Sequence, residues 1–332
     1  MNALEALESC RSLRVLVIGD VMVDAYYIGA VKRVSPEAPV PVVDIQKRDR
    51  RLGGAGNVVL NLLALGARVD LASAVGADEA GNALLEQLDQ HGVGTAAVVQ
   101  TPERPTTVKT RIMSSGQQLL RVDEETTEPL STELEDALLA ALEPLLAQAD
   151  AVLFEDYDKG VLTERIIEFV VRRARELNVP TAVDPKFRQF HAYRGVGLFK
   201  PNVKELQEGL GRYVEPGDPA SVEAAVEELM TRLEPECALV TLSEHGVHVH
   251  QPDRGIVHLR QAAHAREIAD VSGAGDTVIA VATCLYALGV DAGEVARVAN
   301  LAGGLVCENV GVVPIDARRL QREVSSTPPL TA

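Results

Sequence analysis

The stretch Asp270–Gly289, DVSGAGDTVIAVATCLYALG, sets three small residues and a carboxylate directly ahead of a long apolar run. Small residues at a helix start leave the first backbone N–H groups unpaired, pointing outward at the positive end of the helix dipole. Gly273, Ala274 and Gly275 would let a phosphoryl group approach those amides closely and form an anion hole. Asp276, at the helix mouth, could then take a proton from an attacking hydroxyl. The same residues also suit a plainer purpose, a glycine turn with an aspartate capping the helix, so the motif alone leaves both readings open.

Other phosphate-binding patterns are missing. No Gly-Lys pair occurs, which excludes the G-x-x-x-x-G-K-[ST] loop. GVGTAA from Gly92 imitates a dinucleotide fingerprint, but it follows a helical pattern and precedes a strand, the reverse of the order that motif needs. His245, His248 and His250 in SEHGVHVH have no cysteine or fourth ligand nearby and are expected to be solvated strand histidines rather than a zinc site. DEETTE, from Asp123, is expected to be a solvated acidic loop.

Elements must carry these residues. Short apolar runs (RVLVIG, RVDLASAVG, DAVLFED, PTAVDP, VGLFKPN, CALVTLS) alternate with helical patterns such as AGNVVLNLLALG, TERIIEFVVRRARELN and SVEAAVEELMTRL. That alternation predicts an α/β fold, a doubly wound and mostly parallel sheet with helices on both faces. Residues 24–51 and 104–123 break the pattern with Pro- and Gly-containing strands and no helix between them, the mark of an inserted antiparallel β lid. Residues 324–332 are expected to form a disordered tail.

The 332 residues are 46% hydrophobic and 24% charged, ordinary for a globular chain. A formal charge of −16 and 3% aromatics argue against a nucleic-acid partner, which needs a basic surface and stacking platforms. The longest apolar stretch, Val278–Val290, falls short of the ~20 residues that span a bilayer. The N-terminus carries acids where a secretion signal needs basic charge, and the four cysteines lack C-x-x-C spacing. The expected setting is the cytoplasm, with reduced thiols and no membrane partner.

GGAGNVVLNLLALG and DVSGAGD resemble the two signatures of the ribokinase (phosphofructokinase-B) family of sugar kinases. Between them, PNVKE (Pro201–Glu205) resembles that family's N-x-x-E motif, and VTLSEHG (Val240–Gly246) its nucleotide-side strand and turn. The resemblance implies one ribokinase-like kinase domain over residues 1–323, with ATP and Mg²⁺ as cofactors. A narrower resemblance rests on GDVMVDAYYIG, RVSPEAPVPVV, QQLLRVDEE, EDYDKG and DPK. These are similar to the kinases of ADP-heptose synthesis, which phosphorylate D-glycero-D-manno-heptose 7-phosphate at O1 to the 1,7-bisphosphate for the lipopolysaccharide core. No H-x-G-H of the nucleotidyltransferase often fused to them is present, so the likeness is to the stand-alone kinase form.

Carried over by position, the resemblance makes Asp276 the catalytic base, with Gly273, Ala274 and Gly275 as the anion hole. Asn202 and Glu205 would organise Mg²⁺, largely through water, and the ATP phosphates; a plainer reading is a helix cap with an acid in the first turn. Lys186 could neutralise the β/γ-phosphates or be a solvated loop lysine. Thr241, Ser243 and Gly246 would border the nucleotide, Asn300 would face adenine, and Asp270 would serve a monovalent cation such as K⁺. On the sugar side the resemblance implies Asp24, Gly53, Gly54 and Asn57, with Asp20 either joining them or simply ending the first strand. Arg33, Lys109, Arg111 and Arg121 form a local basic group on the lid that could receive the 7-phosphate, or could blunt exposed sheet edges. A homodimer paired through the lid is expected. The alternatives are a kinase for ribose, fructose phosphate or a ketodeoxy acid, or a silent nucleotide- or sugar-binding regulator.

Overall fold

The computed structural model describes residues 1–263 and 268–326. In chain order the first elements are helix α1 (Ala3–Ser9), strands β1 (Arg14–Gly19), β2 (Val21–Val34) and β3 (Pro41–Gly54), helix α2 (Ala55–Ala64), β4 (Arg68–Gly76), α3 (Glu79–Gln90) and β5 (Gly94–Thr101). There follow β6 (Val108–Ser114), β7 (Gln117–Glu124), α4 (Thr132–Leu146), β8 (Ala151–Glu155), α5 (Glu164–Leu177), β9 (Thr181–Asp184) and β10 (Leu198–Phe199). The remainder is α6 (Val203–Leu210), α7 (Pro219–Leu233), β11 (Cys237–Thr241), β12 (Val247–Gln251), β13 (Ile256–Gln261), α8 (Ala274–Ala287), α9 (Ala292–Val306) and α10 (Ala317–Ser326).

RVLVIG lies inside the main sheet because both of its faces are apolar. Alternate side chains of β1 enter opposite cores, Val15 and Val17 on one side and Leu16 and Ile18 on the other. The nine-stranded sheet runs β13-β12-β11-β10-β9-β8-β1-β4-β5, parallel from β11 to β5, with β12 and β13 added antiparallel at one edge. Helices α4 to α7 cover one face, and α1 to α3 with α8 to α10 cover the other. This is the doubly wound arrangement expected of the alternating pattern. In such a sheet ligands gather outside the carboxyl ends of the strands.

The lid is a separate four-stranded sheet in the order β3-β2-β6-β7. Its two hairpins, β2–β3 and β6–β7, are antiparallel as expected, and they join side by side through a parallel pairing of β2 with β6. The tight β6–β7 turn has Ser115 and Gly116 at φ 51° and 78°, the left-handed conformation that two-residue hairpin loops require.

Two expectations change. Helix α10 continues to Ser326 because Leu320 and Val324 are buried against the body at 0% and 4% exposure. Residues 324–326 are therefore helical rather than tail, and 327–332 lie outside the described residues. His248 and His250 are not solvated: they are 2% and 7% exposed, with His258 of the neighbouring strand packed beside them. Burial, and then His258, His250 and Arg260, push the His248 pKa down to about 4. Between that value and the ordinary 6.5, the unfolded chain binds a proton that folded His248 refuses, so stability falls as pH drops through this window. Buried carboxylates such as Asp156, raised to about 7, titrate in the same window with the opposite sign, so the His248 contribution is read as a difference: between pH 6.5 and 4 the urea stability of the parent should fall by ~2–3 kcal/mol relative to that of a His248→Gln variant.

No helix among the described residues is long and apolar enough to cross a membrane. All four cysteines are free, three of them buried.

Candidate active site

Strands β1, β8, β9, β10 and β11 end on the same edge of the sheet, and the residues that follow them converge there with the start of α8. Gly273 is the N-cap of α8 at φ 78°, where a Cβ would also lie 2.8 Å from Asn57 Nδ2, so only glycine fits. The amide of Ala274 is spent on Val271 O at 3.3 Å. Those of Gly273, Gly275 and Asp276 have no partner among the described residues. A Cβ on Gly275 would meet Asp184 Oδ2 and Lys200 Nζ only at 3.8 Å, an ordinary contact. Nothing in the protein demands glycine at that position; a group approaching the amide from outside would.

Asp276 is 8% exposed, and both of its oxygens are held. Asn57 donates from Nδ2 to Oδ2 at 2.6 Å, and the Tyr157 hydroxyl donates to Oδ1 at 2.9 Å. Burial lifts its pKa above the usual carboxylate range and Asp184 adds to the rise, while the bonds from Asn57 and Tyr157 and the charge of Lys200 oppose it. Asn57 belongs to a buried network. Its own carbonyl accepts from Asn61 Nδ2 at 2.9 Å, and Asn61 Oδ1 accepts from Thr277 Oγ1 at 3.1 Å and Ile315 N at 3.0 Å, which fastens α2 to α8.

Beneath Asp276 is a cluster of buried charges that the motifs did not single out. Glu155, Asp184 and Asp276 each place one oxygen within 4.8 Å of the others, the one grouping among the described residues suited to a metal ion. Glu155 Oε2 and Asp184 Oδ1 are buried without a hydrogen-bond partner. Lys200, 2% exposed, pairs with Asp184 at 2.8 Å. Burial, Asp184 and Asp276 push Glu155 well above the usual range. Orphaned carboxylate oxygens at this depth are costly unless a cation serves them, so the donor set fits a hard divalent ion.

Lys186 contacts Glu205 and lies 5.3 Å from the Tyr157 ring centroid. Burial alone would lower its pKa, but Asp184 and Glu205 raise it further, so it stays charged; it is not a solvated lysine. Asn202 and Glu205 form a complete capping box on α6, with Glu205 N donating to Asn202 Oδ1 at 2.9 Å and Asn202 N to Glu205 Oε2 at 2.8 Å. The plainer reading of that pair is thus realised, and the other Glu205 oxygen faces Lys186. Thr241 ends β11 and is bridged to Asn202, Ser243 opens the exposed turn that follows, and Gly246 closes it. A Cβ on Gly246 would fall 1.9 Å from Gln261 O. Asn300 donates to Ala262 O at 2.9 Å, tying α9 to the exit of β13. Asp270 accepts from Ser272 N at 3.0 Å, Ser272 Oγ at 2.8 Å and Gly311 N at 2.9 Å. Burial works against ionisation there, but these bonds outweigh it and hold Asp270 below the usual range.

Asp20 is engaged within the protein. Its carboxylate accepts from the backbone amides of Tyr157 at 2.9 Å, Lys159 at 3.0 Å and Val161 at 3.1 Å, so it clamps the loop after β8. A bond to a charged acceptor contributes ~1.5–3 kcal/mol. Asp20→Ala should therefore speed hydrogen exchange at these amides by at least ~10-fold while those inside β8 stay protected.

At the base of the lid, Asp24 pairs with Arg111, and a Cβ on Gly53 would lie 2.4 Å from Asp24 Oδ2. Gly54, at φ 56°, turns the chain from β3 into α2. Arg51 and Arg111 both lie over the Tyr26 ring, at 5.0 and 5.2 Å. Two further lid cations, Lys109 and Arg121, are neutralised. Lys109 pairs with Asp123 at 3.3 Å and Glu125 at 2.9 Å, and Arg121 with Asp123 at 2.9 Å. Glu125 also takes Lys159 at 2.8 Å. Within DEETTE, Asp123 and Glu125 are thus ion-paired, whereas Glu124 and Glu128 are exposed as expected. Arg33 is exposed near the far end of β2, nine residues beyond Asp24 and so roughly 30 Å along the strand, away from the site.

Sequence reasoning missed Tyr157, Glu155, Asp184, Lys200 and Arg51. The first four stand within two residues of the carboxyl end of a buried strand, a polar side chain directly after an apolar run, and that placement was the available signal.

A family model described as pfkB family carbohydrate kinase matches residues 12–317. A Bordetella bronchiseptica protein named D-beta-D-heptose 7-phosphate kinase is 43% identical over 324 residues, covering 97% of this chain and 99% of that protein. A Trichlorobacter lovleyi protein named bifunctional protein HldE is 41% identical over 314 residues, 95% of this chain; the chain spans 63% of that relative's length. Among solved structures, Escherichia coli phosphofructokinase-2 in its tetrameric inhibited form gives a TM-score of 0.74 at 17% identity, covering 94% of this chain and 99% of that one. Arabidopsis thaliana ribokinase with ribose and ATP gives 0.70 at 20%, covering 93% and 99%. These structural likenesses concern the fold.

Proposed function

Since the chain belongs to the pfkB family of carbohydrate kinases, we propose that it transfers the γ-phosphoryl group of ATP to O1 of D-glycero-D-manno-heptose 7-phosphate, giving the 1,7-bisphosphate and ADP. The observation that carries the reaction is a buried carboxylate, Asp276, held beside unpaired amides at the start of α8. The near full-length likeness to the Bordetella kinase supports the choice of sugar.

In the proposed step the substrate hydroxyl gives its proton to Asp276 as its oxygen bonds to the γ-phosphorus, and the bond from that phosphorus to the β,γ-bridging oxygen breaks in line. The free amides of Gly273 and Gly275 receive the charge that builds on the moving phosphoryl group. Lys186, already charged, is a fixed counter-charge for the departing ADP. Four carboxylates (Glu155, Asp184, Glu205, Asp276) face two ammonium groups (Lys186, Lys200), which leaves two negative charges when all are ionised. Mg²⁺ bound with ATP would supply positive charge shared between these carboxylates and the phosphate oxygens; Glu205 through water, and the orphaned oxygens of Glu155 and Asp184, are the groups placed to hold it. K⁺ at Asp270, nucleotide contacts at Thr241, Ser243, Gly246 and Asn300, and sugar contacts at Asp24, Gly53 and Gly54 belong to the same proposal. Of the lid cations, Arg111, Lys109 and Arg121 would meet the 7-phosphate only by exchanging a carboxylate partner for it.

One kinase unit over residues 1–323, a homodimer paired through the lid and a cytoplasmic setting complete the reading. Apolar residues exposed on the lid, among them Val31 (42%), Leu120 (57%) and Val122 (45%), support the pairing.

Phosphorus NMR of reactions with Mg–ATP and a panel of heptose 7-phosphate, fructose 6-phosphate, ribose and a ketodeoxy acid tests the proposal. The heptose should give a second, anomeric phosphate signal beside an unchanged 7-phosphate. Faster turnover of another panel member would reassign the substrate, and ATP consumption with none of them would reject a transferase for these sugars.

A further inference from the structure

We propose that Tyr157 is a positioning residue for Asp276, fixing the rotation of its carboxylate so that an unused lone pair faces the incoming alcohol. The idea rests on the reading of Asp276 as the base.

Three observations carry it. First, the backbone of Tyr157 is immobilised by the Asp20 carboxylate, which accepts its amide at 2.9 Å and those of Lys159 and Val161 further along the same loop. The guanidinium of Arg104, 9% exposed, fastens that loop again by donating to Lys159 O. Second, the ring is placed by its neighbour, with Lys186 Nζ 5.3 Å from the centroid, so the hydroxyl leaves a rigid platform. Third, the hydroxyl donates to Asp276 Oδ1 at 2.9 Å while Asn57 donates to Oδ2 at 2.6 Å from the opposite element. One donor would leave the carboxylate free to swing about its Cβ–Cγ bond; donors on both oxygens do not. An ionised carboxylate has about four acceptor sites, so two donors leave room for a substrate hydroxyl.

Tyr157 cannot itself be the base. Its single hydroxyl proton is donated to Asp276 Oδ1 at 2.9 Å, so it acts as a donor in this site. Its part in the reaction is exerted through Asp276.

The test is a double-mutant cycle with Tyr157→Phe and Asp276→Asn, reading kcat and both KM values for Mg–ATP and the sugar phosphate. Phenylalanine keeps the ring against Lys186 and removes only the hydroxyl. Tyr157→Phe should lower kcat ~10–100-fold, the scale of a hydrogen bond to a charged group, with each KM within twofold. In the Asp276→Asn background the same change should alter the residual rate less than twofold. A rise in sugar KM with kcat unchanged would make Tyr157 a substrate contact and overturn the proposal. An equal loss in both backgrounds would overturn it too, as an effect independent of Asp276. Asp276→Asn at the parent rate would instead reject the base reading on which the proposal stands, so the two failures are told apart.

Discussion

Asp276→Asn should lower kcat for phosphoryl transfer by ~10²–10⁴-fold, the contribution of a positioned general base. The amide has the volume of the carboxylate, and its oxygen can still accept from Tyr157 or Asn57, so the local packing survives. What is lost is the site that takes the proton. The free amides at the start of α8 remain, and KM for ATP should therefore stay within about threefold of the parent, because the phosphate cradle is unchanged. Coupled measurement of ADP release, beside a thermal melt showing an intact fold, checks both halves. A variant retaining a tenth or more of the parent kcat would remove Asp276 from the role.

Lys200→Met should destabilise the fold by about 3–5 kcal/mol, the range for breaking a buried ion pair by removing one partner. Lys200 is 2% exposed and pairs with Asp184 at 2.8 Å, in a site where Glu155 and Asp276 add two further carboxylates. Burial works against its charge, yet Asp184 and Glu205 outweigh burial and raise its pKa. Methionine fills a similar volume and removes the ammonium that pairs directly with Asp184. Urea denaturation should therefore show a lower midpoint at an unchanged slope. Adding Asp184→Leu to the variant should recover much of the loss, since a well-packed apolar pair often matches a buried ionic one. A loss below 1 kcal/mol for the single variant would show that Asp184 finds another partner.

How far these residues could be read in advance follows from where their partners lie. The start of α8 was legible because its chemistry is local: a left-handed glycine, small residues and an acid are adjacent in the chain. Strand–helix alternation predicted the doubly wound sheet because period and apolarity are properties of short windows. Lys200 and Asp184 carry no such mark. Each is a polar residue ending an apolar run, and only the register that aligns β9 with β10 brings them together. Asp20 could be read as a sugar contact or as the plain end of the first strand; its three acceptor bonds go to a loop more than 130 positions away, which neither reading foresaw. The lid cations looked free because their partners sat in a stretch read as solvent-facing; cross-strand pairing of β6 with β7 puts Lys109 opposite Asp123. His248 and His250 looked exposed because one strand cannot reveal the next one packing over it. Charge type and helix starts can be read from neighbours, whereas pairing depends on topology.

The central place of β1 has a consequence for the order in which the molecule can be made. Val15 pairs with Val69 on one side and with Ala151 on the other. A ribosome adding roughly 5–20 residues per second needs on the order of ten seconds to deliver that second neighbour after the first strand has emerged. Asn57 waits longer still for Asp276, 219 positions downstream. Until β8 emerges the nascent chain holds an apolar ribbon with one side open, so shielding by a chaperone would matter most before that point, and catalytic competence arrives only once α8 has followed.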